Sequence, residues 1–171
     1  MFGLTSNSDT HALELLKRDH AEVDSMFKQY EDAVDAGDKT SKAALAASIC
    51  DALTVHAMVE EEIFYPAVRR GDAETRDLIN EAAVEHQSLK DIIGRLQSTT
   101  LADPLYDAGV KVLSEYVKHH VKEEEDELFP MVGKMDMDLE KLGAQIQARK
   151  LELEDQLYAT RSRGVKRRRA A

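Results

Sequence analysis

One eleven-residue signature occurs twice in this chain, as His56-Ala57-Met58-Val59-Glu60-Glu61-Glu62-Ile63-Phe64-Tyr65-Pro66 and as His120-Val121-Lys122-Glu123-Glu124-Glu125-Asp126-Glu127-Leu128-Phe129-Pro130. In both copies a Glu follows the His by four residues, a second Glu stands next to it, and a Pro comes ten residues after the His. Another histidine precedes each copy, His20 by 36 residues and His86 by 34. The repeat predicts two copies of one helical hairpin, each carrying a histidine on its first helix and a His-x-x-x-Glu pair on its second. That is the shape of a duplicated metal-binding unit.

Helix is the only regular structure the pattern supports. Glycine and proline are scarce, at 8 and 3 residues, and apolar side chains recur at spacings of three and four. Breaks at Asp35-Ala36-Gly37-Asp38, Gly71-Asp72, Ala102-Asp103-Pro104 and 133–136 divide the chain into helices over about 9–36, 39–70, 73–98, 104–133 and 137–160. Asp103 before Pro104 reads as a capping aspartate ahead of a proline at the first helical position, and Asp72 reads as a second cap. Short connections make neighbours antiparallel, so the fold class is all-α: an up-down-up-down four-helix bundle, a C-terminal fifth helix and a basic tail. The expected division is a bundle over 1–136 and a helix with tail over 137–171. The fifth helix is charged and weakly amphipathic, able either to pack along the bundle or to extend from it.

The four histidines fall on the apolar faces of their helices. His20 lies in a row with Leu13, Leu16, Val23 and Phe27, and His56 with Ile49, Leu53, Val59 and Ile63. His86 lies with Ile79, Ala82, Leu89 and Ile93, and His120 with Leu113, Val117 and Leu128. A helix returns to the same side every three to four residues, so Glu60 and Glu124 point inward with His56 and His120. An ionised carboxylate in an apolar core costs several kcal/mol unless it is paired or metal-bound, and two facing each other also repel. Cations between them satisfy every group at once. If the glutamates bridge two ions and each ion takes two histidines, open positions are left for water or a small ligand. Nitrogen and oxygen donors without thiolate suit iron, manganese or zinc, and paired carboxylates on bundle helices favour iron or manganese pairs, with iron leading.

The pattern His, His-x-x-x-Glu, His, His-x-x-x-Glu, with Phe64-Tyr65-Pro66 and Leu128-Phe129-Pro130 trailing the pairs, resembles the hemerythrin-like HHE cation-binding domains over roughly residues 9–134. The resemblance implies His20, His56, Glu60, His86, His120 and Glu124 as ligands of an oxo- or hydroxo-bridged iron pair. It departs from the oxygen-carrying hemerythrins at two points. Those carry a second histidine one turn from the third-helix histidine, where this chain has Ala82 and Lys90, and they end in His-x-x-x-x-Asp, a spacing that Asp126 does not hold from His120. The implied role shifts from reversible oxygen carriage towards reaction with peroxide, or sensing.

Each element of the pattern also has an ordinary explanation. A single His–Glu pair four apart is a common helix-stabilising contact; two in register with matching histidines on partner helices are not. His11 and His119 read as solvent-facing, His11 also as a helix cap, and of the acidic run 123–127 only Glu124 reads inward. Asp24 and Tyr116, each four residues from a site histidine, are candidates for an extra ligand or for a partner behind one. Cys50 reads as a small core residue, and Met58, Met131, Met135 and Met137 as gap fillers or surface.

A net charge of −10 excludes nucleic acid as the partner of the body of the protein, leaving only the basic segment Arg161–Arg169, read as disordered, for anionic partners. One cysteine allows no internal disulfide, and the first twenty residues have neither the basic start nor the apolar run of a signal peptide. With no stretch of about 20 apolar residues to span a bilayer, the expected location is the cytoplasm. Two functional readings follow. One is a di-iron centre that turns over peroxide or dioxygen with catalase- or peroxidase-like chemistry in oxidative-stress defence. The other is a non-enzymatic module that stores iron or senses iron, oxygen or nitric oxide. The sequence sets no oligomeric state.

Overall fold

The computed structural model describes residues 10–169, with side chains described for residues 10–160. Among the described residues there are five helices and no strand: α1 (Ala12–Asp35), α2 (Lys39–Val68), α3 (Ala73–Ser98), α4 (Tyr106–Glu123 continuing through Glu124–Leu128 and Phe129–Val132) and α5 (Leu139–Arg169). Helix ends follow local chemistry. Gly37, at φ +67°, turns the chain out of α1 in the left-handed conformation a side chain disfavours, and the Asp38 N–H reaches back to the Ala33 carbonyl at 2.9 Å. Asp38 then caps α2 by accepting from the Thr40 and Ser41 amides, and Asp72 caps α3 through the Thr75 amide.

The start of α4 corrects the sequence reading. Asp103 accepts from the Leu105 N–H at 2.8 Å and its carbonyl accepts from the Tyr106 N–H at 3.0 Å, so it closes a tight turn and the helix begins two residues beyond Pro104. His11 occupies the N-cap position of α1, but its side chain makes no capping bond.

Helices α2 and α4 each contain one widened turn at the same place in the repeat. In Glu60–Phe64 the Tyr65 N–H donates to the Glu60 carbonyl, and in Glu124–Leu128 the Phe129 N–H donates to the Glu124 carbonyl, bonds that span five residues instead of four. Proline supplies the reason. Pro66 and Pro130 have no N–H, and in a regular helix their rings would strike the carbonyl four residues back. The wider turn moves that carbonyl aside and lets the helix continue.

The apolar core falls into two parts with the histidine–glutamate layer between them. One part joins Leu13 and Leu16 of α1, Val59, Phe64 and Val68 of α2, Ile79 of α3, and Leu128 and Val132 of α4. The other joins Val23 and Phe27, Ile49 and Leu53, Leu89 and Ile93, and Val110 and Leu113 from the opposite halves of the same helices. Cys50 is buried in this second part, as expected. Helix α2 is long and apolar enough to cross a membrane by length and composition alone, with mean hydropathy 1.3 over 18 residues, yet half of that window is buried against other helices, so the described residues hold no clear membrane span.

Helix α5 packs along α1 and α2. Leu142, Ile146 and Leu153 enter the first core, Arg149 pairs with Glu62 at 2.7 Å, and Lys150 pairs with Asp19 at 2.5 Å. Its contact with α1 is backbone-close: a Cβ added at Gly143 would lie 1.7 Å from the Thr10 carbonyl oxygen. The α5 backbone stays helical through Arg169, so the basic segment expected to be disordered continues the helix.

Candidate metal centre

All six residues singled out by the repeat converge. Each is less than a tenth exposed, and Glu60 is fully buried. The Nε2 atoms of His20 and His56 stand 3.1 Å apart, and those of His86 and His120 3.0 Å apart. The Glu60 Oε2 lies 3.2 Å from His56 Nε2 and 3.3 Å from His86 Nε2, between the two pairs. Glu124 Oε2 does the same from the other helix, 3.3 Å from His20 Nε2 and 3.5 Å from His120 Nε2. Donors about 2.1 Å from a shared ion and at right angles to each other stand about 3.0 Å apart, so these spacings suit a cation. Within these six residues two groups could hold a metal, His20–His56–Glu60–Glu124 and Glu60–His86–His120; a third and more exposed group among the described residues, Glu85–His119–Glu123, lies outside the buried layer. Glu60 Oε1 and Glu124 Oε2 are buried with no hydrogen-bond partner among the described residues, a costly condition that a bound cation relieves.

Behind every imidazole stands a carboxylate, a feature the sequence reading did not find. His20 Nδ1 meets Glu125 at 2.7 Å, His86 Nδ1 meets Glu61 at 3.0 Å, and His120 Nδ1 meets Glu85 at 2.8 Å. His56 Nδ1 faces Asp19 at 3.6 Å, beyond hydrogen-bond distance. The arrangement has an order. The acidic residue before the first histidine of a hairpin serves the second histidine of that hairpin, and the Glu after the inward Glu serves the first histidine of the other hairpin. Such partners keep the proton on Nδ1 and turn Nε2 to the metal.

Tyr65 is the second feature the sequence reading missed. Its hydroxyl donates to Glu124 Oε1 at 2.8 Å and lies 3.4 Å from both Glu60 Oε2 and His86 Nε2. In an α-helix the residue five beyond Glu60 points about 140° away from it; the widened turn brings the two onto one face. The signal was Pro66, which forces that turn. At the matching position of the other hairpin, Phe129 stacks on His20 with ring centroids 5.8 Å apart and planes 7° from parallel.

The charges in the layer lean on each other. Burial works against a charged His56, yet the Glu60 carboxylate, joined by Asp19 and Glu124, raises it to about 10. His120 is raised too, its burial outweighed by Glu124 and Glu85. Glu60 is held well below the usual carboxylate range despite its burial, by His56 and His86. Burial and the two glutamate charges push the Tyr65 phenol well above its ordinary value, so its proton stays on.

A cavity of about 20 Å³ touches all four imidazoles and is walled by Val23, Leu53, Leu89 and Val117, room for one water-sized molecule. The two candidates for extra ligands lie elsewhere. Asp24 pairs with Lys28 on its own helix, and the Tyr116 side chain is 47% exposed. His119 is exposed as expected and lies near Glu85 and Glu123.

Comparison with known proteins agrees with this geometry. The family described as "Hemerythrin HHE cation binding domain" matches residues 11–132. A crystal structure of a hemerythrin HHE cation binding domain-containing protein from Mycobacterium kansasii superposes with a TM-score of 0.76 at 26% identity, covering 90% of this chain and 94% of that one. A curated relative, a DNA nickase of Nostoc sp. (strain PCC 7120 / SAG 25.82 / UTEX 2576), is 25% identical over 130 residues, 75% of this chain; the match spans 35% of that protein.

Proposed function

The chain belongs to the hemerythrin HHE cation-binding domain family, and from that premise we propose that it is a non-haem di-iron protein that binds or reacts with dioxygen, hydrogen peroxide or nitric oxide. His20, His56, His86, His120, Glu60 and Glu124 would hold the ions, in an up-down-up-down bundle over 1–136 followed by the helix and tail of 137–171. The observation that carries this reading is the convergence of four buried imidazole nitrogens around two buried carboxylates that each keep an oxygen without a partner among the described residues. Bound iron would supply redox chemistry at open coordination positions.

The protein's own groups set the conditions for that chemistry. The carboxylates behind the imidazoles fix which ring nitrogen faces the centre. Glu60 and Glu124 offset cationic charge in the buried interior. Tyr65 keeps a proton at its hydroxyl oxygen, hydrogen-bonded to Glu124 and 3.4 Å from His86 Nε2, and so fixes the orientation of the Glu124 carboxylate beside the imidazoles. The aliphatic walls of the 20 Å³ cavity favour a diatomic or peroxide-sized guest over an organic substrate.

Metal analysis of the purified protein with its near-ultraviolet spectrum is the test, repeated on the Glu60→Ala, Glu124→Ala double variant. Two irons per chain with a charge-transfer band, both lost in the variant, are expected; a chain that takes up no iron overturns the reading. Steady peroxide consumption by the loaded protein, absent from His56→Ala, would establish catalase- or peroxidase-like turnover. The alternative, a non-enzymatic sensor or store, is favoured by one contact: Lys150 of α5 holds Asp19, which faces His56, so the centre is tied to the helix outside the bundle. It expects proteolysis of residues 137–171 to change with metal; identical cleavage with and without metal removes it.

A further inference from the structure

The hairpin repeat makes the surroundings of the cavity nearly symmetric, and one charge breaks that symmetry at the surface. One turn after His86 comes Lys90, whose ammonium lies 2.6 Å from both oxygens of Glu61, the carboxylate behind His86. That bridge covers the flank of the site between α2 and α3. The residue one turn after His20 is Asp24, and the carboxylate behind His20 is Glu125. Two acids cannot form the bridge. Asp24 turns to Lys28 instead, and a groove of about 280 Å³ opens between α1 and α4. His20, Val117 and Val121 line this groove and also line the inner cavity, so they are the wall between solvent and the four imidazoles. A larger groove of about 390 Å³ along α1, α2 and α5 reaches Asp19 and Val23 of the cavity wall, but there Lys150 is bonded across to Asp19. Of these three flanks, two carry a lysine–carboxylate bridge that crosses from one helix to another, and the third carries only pairs within a single helix, Lys28 with Asp24 and Lys122 with Asp126.

We propose that small neutral ligands of one or two heavy atoms reach the centre through the α1–α4 groove, passing Val117 and Val121 to the His20 side of the pair. The substitution that opens the groove is the replacement, relative to the other hairpin, of a lysine by an aspartate at position 24. The walls set the class of guest. The last step runs past two valines, which solvate no ion, and the outer rim mixes Asp24, Glu125 and Asp126 with Lys118 and Lys122, so it favours no free anion and the apolar step selects a neutral guest. This inference rests on the reading of the cluster as a di-iron centre.

Nitric oxide, neutral and diatomic, is the probe, mixed in stopped flow with the reduced, iron-loaded full chain whose iron content and absorption spectrum have been matched to the parent. Narrowing the passage with Val121→Phe is expected to slow association and dissociation together, each by about tenfold, and so leave Kd nearly unchanged. Asp24→Lys, a surface change that restores the bridge to Glu125, is expected to slow association by about threefold. Lys90→Ala, which uncovers the opposite flank, leaves it unchanged. Association unchanged in both Val121→Phe and Asp24→Lys, on protein that holds its iron, overturns the passage while leaving the di-iron reading intact. Association sped by Lys90→Ala instead would place the passage on the other flank and overturn the proposal equally. A chain that never loads iron withdraws both, and metal analysis shows this before any ligand is added.

Discussion

The two hairpins, α1–α2 and α3–α4, agree at every donor and part company one residue outside them. His20 matches His86, His56 matches His120 and Glu60 matches Glu124, and the carboxylates behind the rings match in kind. Beyond that shell the first hairpin has Asp19, Asp24 and Tyr65 where the second has Glu85, Lys90 and Phe129. The consequences are local and distinct. Glu85 reaches His120 at 2.8 Å, while the shorter Asp19, held by Lys150, stops 3.6 Å from His56. Tyr65 gives the centre one hydroxyl, and Phe129 gives it a stacked ring. Duplication thus supplies a nearly symmetric cage, and the differences decide where it carries a proton, where it meets solvent and which side the fifth helix touches.

The hardest test of the symmetry is to remove one glutamate at a time. Glu60 belongs to both buried candidate metal groups and Glu124 to one. Glu60→Ala is therefore expected to abolish iron binding, and Glu124→Ala to leave a residue of it. In the metal-free protein Glu60→Ala strips His56 of the charge that keeps it protonated, and removing one member of a buried pair costs about 3–5 kcal/mol, read by thermal or urea unfolding. Equal iron loss from the two variants would show that the glutamates are equivalent after all.

Acidity gives the next largest effect. His56 titrates at about 10 in the folded metal-free protein and at its ordinary 6.5 when unfolded. Its contribution is fully present below pH 6.5 and is lost as the pH rises towards 10, because over that window the folded state binds a proton that the unfolded state does not. Metal-free protein should melt at progressively lower temperature from neutral to alkaline pH. Iron replaces the proton, so loading near pH 7 should release protons into a weak buffer and flatten that decline. A melting temperature that does not fall between neutral and alkaline pH without metal would rule out the buried imidazolium.

The exchange of Tyr65 and Phe129 probes the difference at smaller scale. Tyr65→Phe leaves Glu124 Oε1 without its donor, for a loss of about 1–3 kcal/mol in the metal-free protein. If the symmetry of the repeat holds there, the hydroxyl of Phe129→Tyr would meet Glu60 Oε1, which has no partner among the described residues, and should raise stability by about 1 kcal/mol. If both single changes destabilise, the two halves are less alike around the carboxylates than their donor positions suggest.

What could be read from the sequence and what could not divide along one physical line. The inward residues were legible because apolar rows at helical spacing define a face, and His and Glu four apart share it. Asp24 and Tyr116 share the same spacing from a histidine yet lie on the flank of their rows, where a step of four turns the side chain outward. Tyr65 was hidden by regular-helix arithmetic, since only the widened turn before Pro66 brings a residue five positions on back over Glu60. The carboxylates behind the rings were hidden for another reason. Asp19 and Glu85 stand beside a histidine in sequence, but each serves a histidine on the neighbouring helix, a relation that exists only once the helices are packed. Asp103 was misplaced because an aspartate before a proline suits a tight turn as well as a helix cap.

The smallest expected effect isolates α5, which has no counterpart in the repeat. Lys150 and Asp19 are partly exposed, with side-chain exposures of 24% and 15%, so Lys150→Met should cost no more than about 1 kcal/mol of stability. Its effect on the centre has a definite direction. Released from Lys150, Asp19 is free to close on His56 Nδ1 as Glu85 does on His120, making His56 a stronger donor and the two sides more alike. Iron-loaded Lys150→Met should then show a lower reduction potential than the parent, and the shift should vanish when Asp19→Asn is added. A potential unchanged in Lys150→Met would mean that the fifth helix braces the bundle without reaching the centre, and the asymmetry at His56 would then be a matter of aspartate length alone.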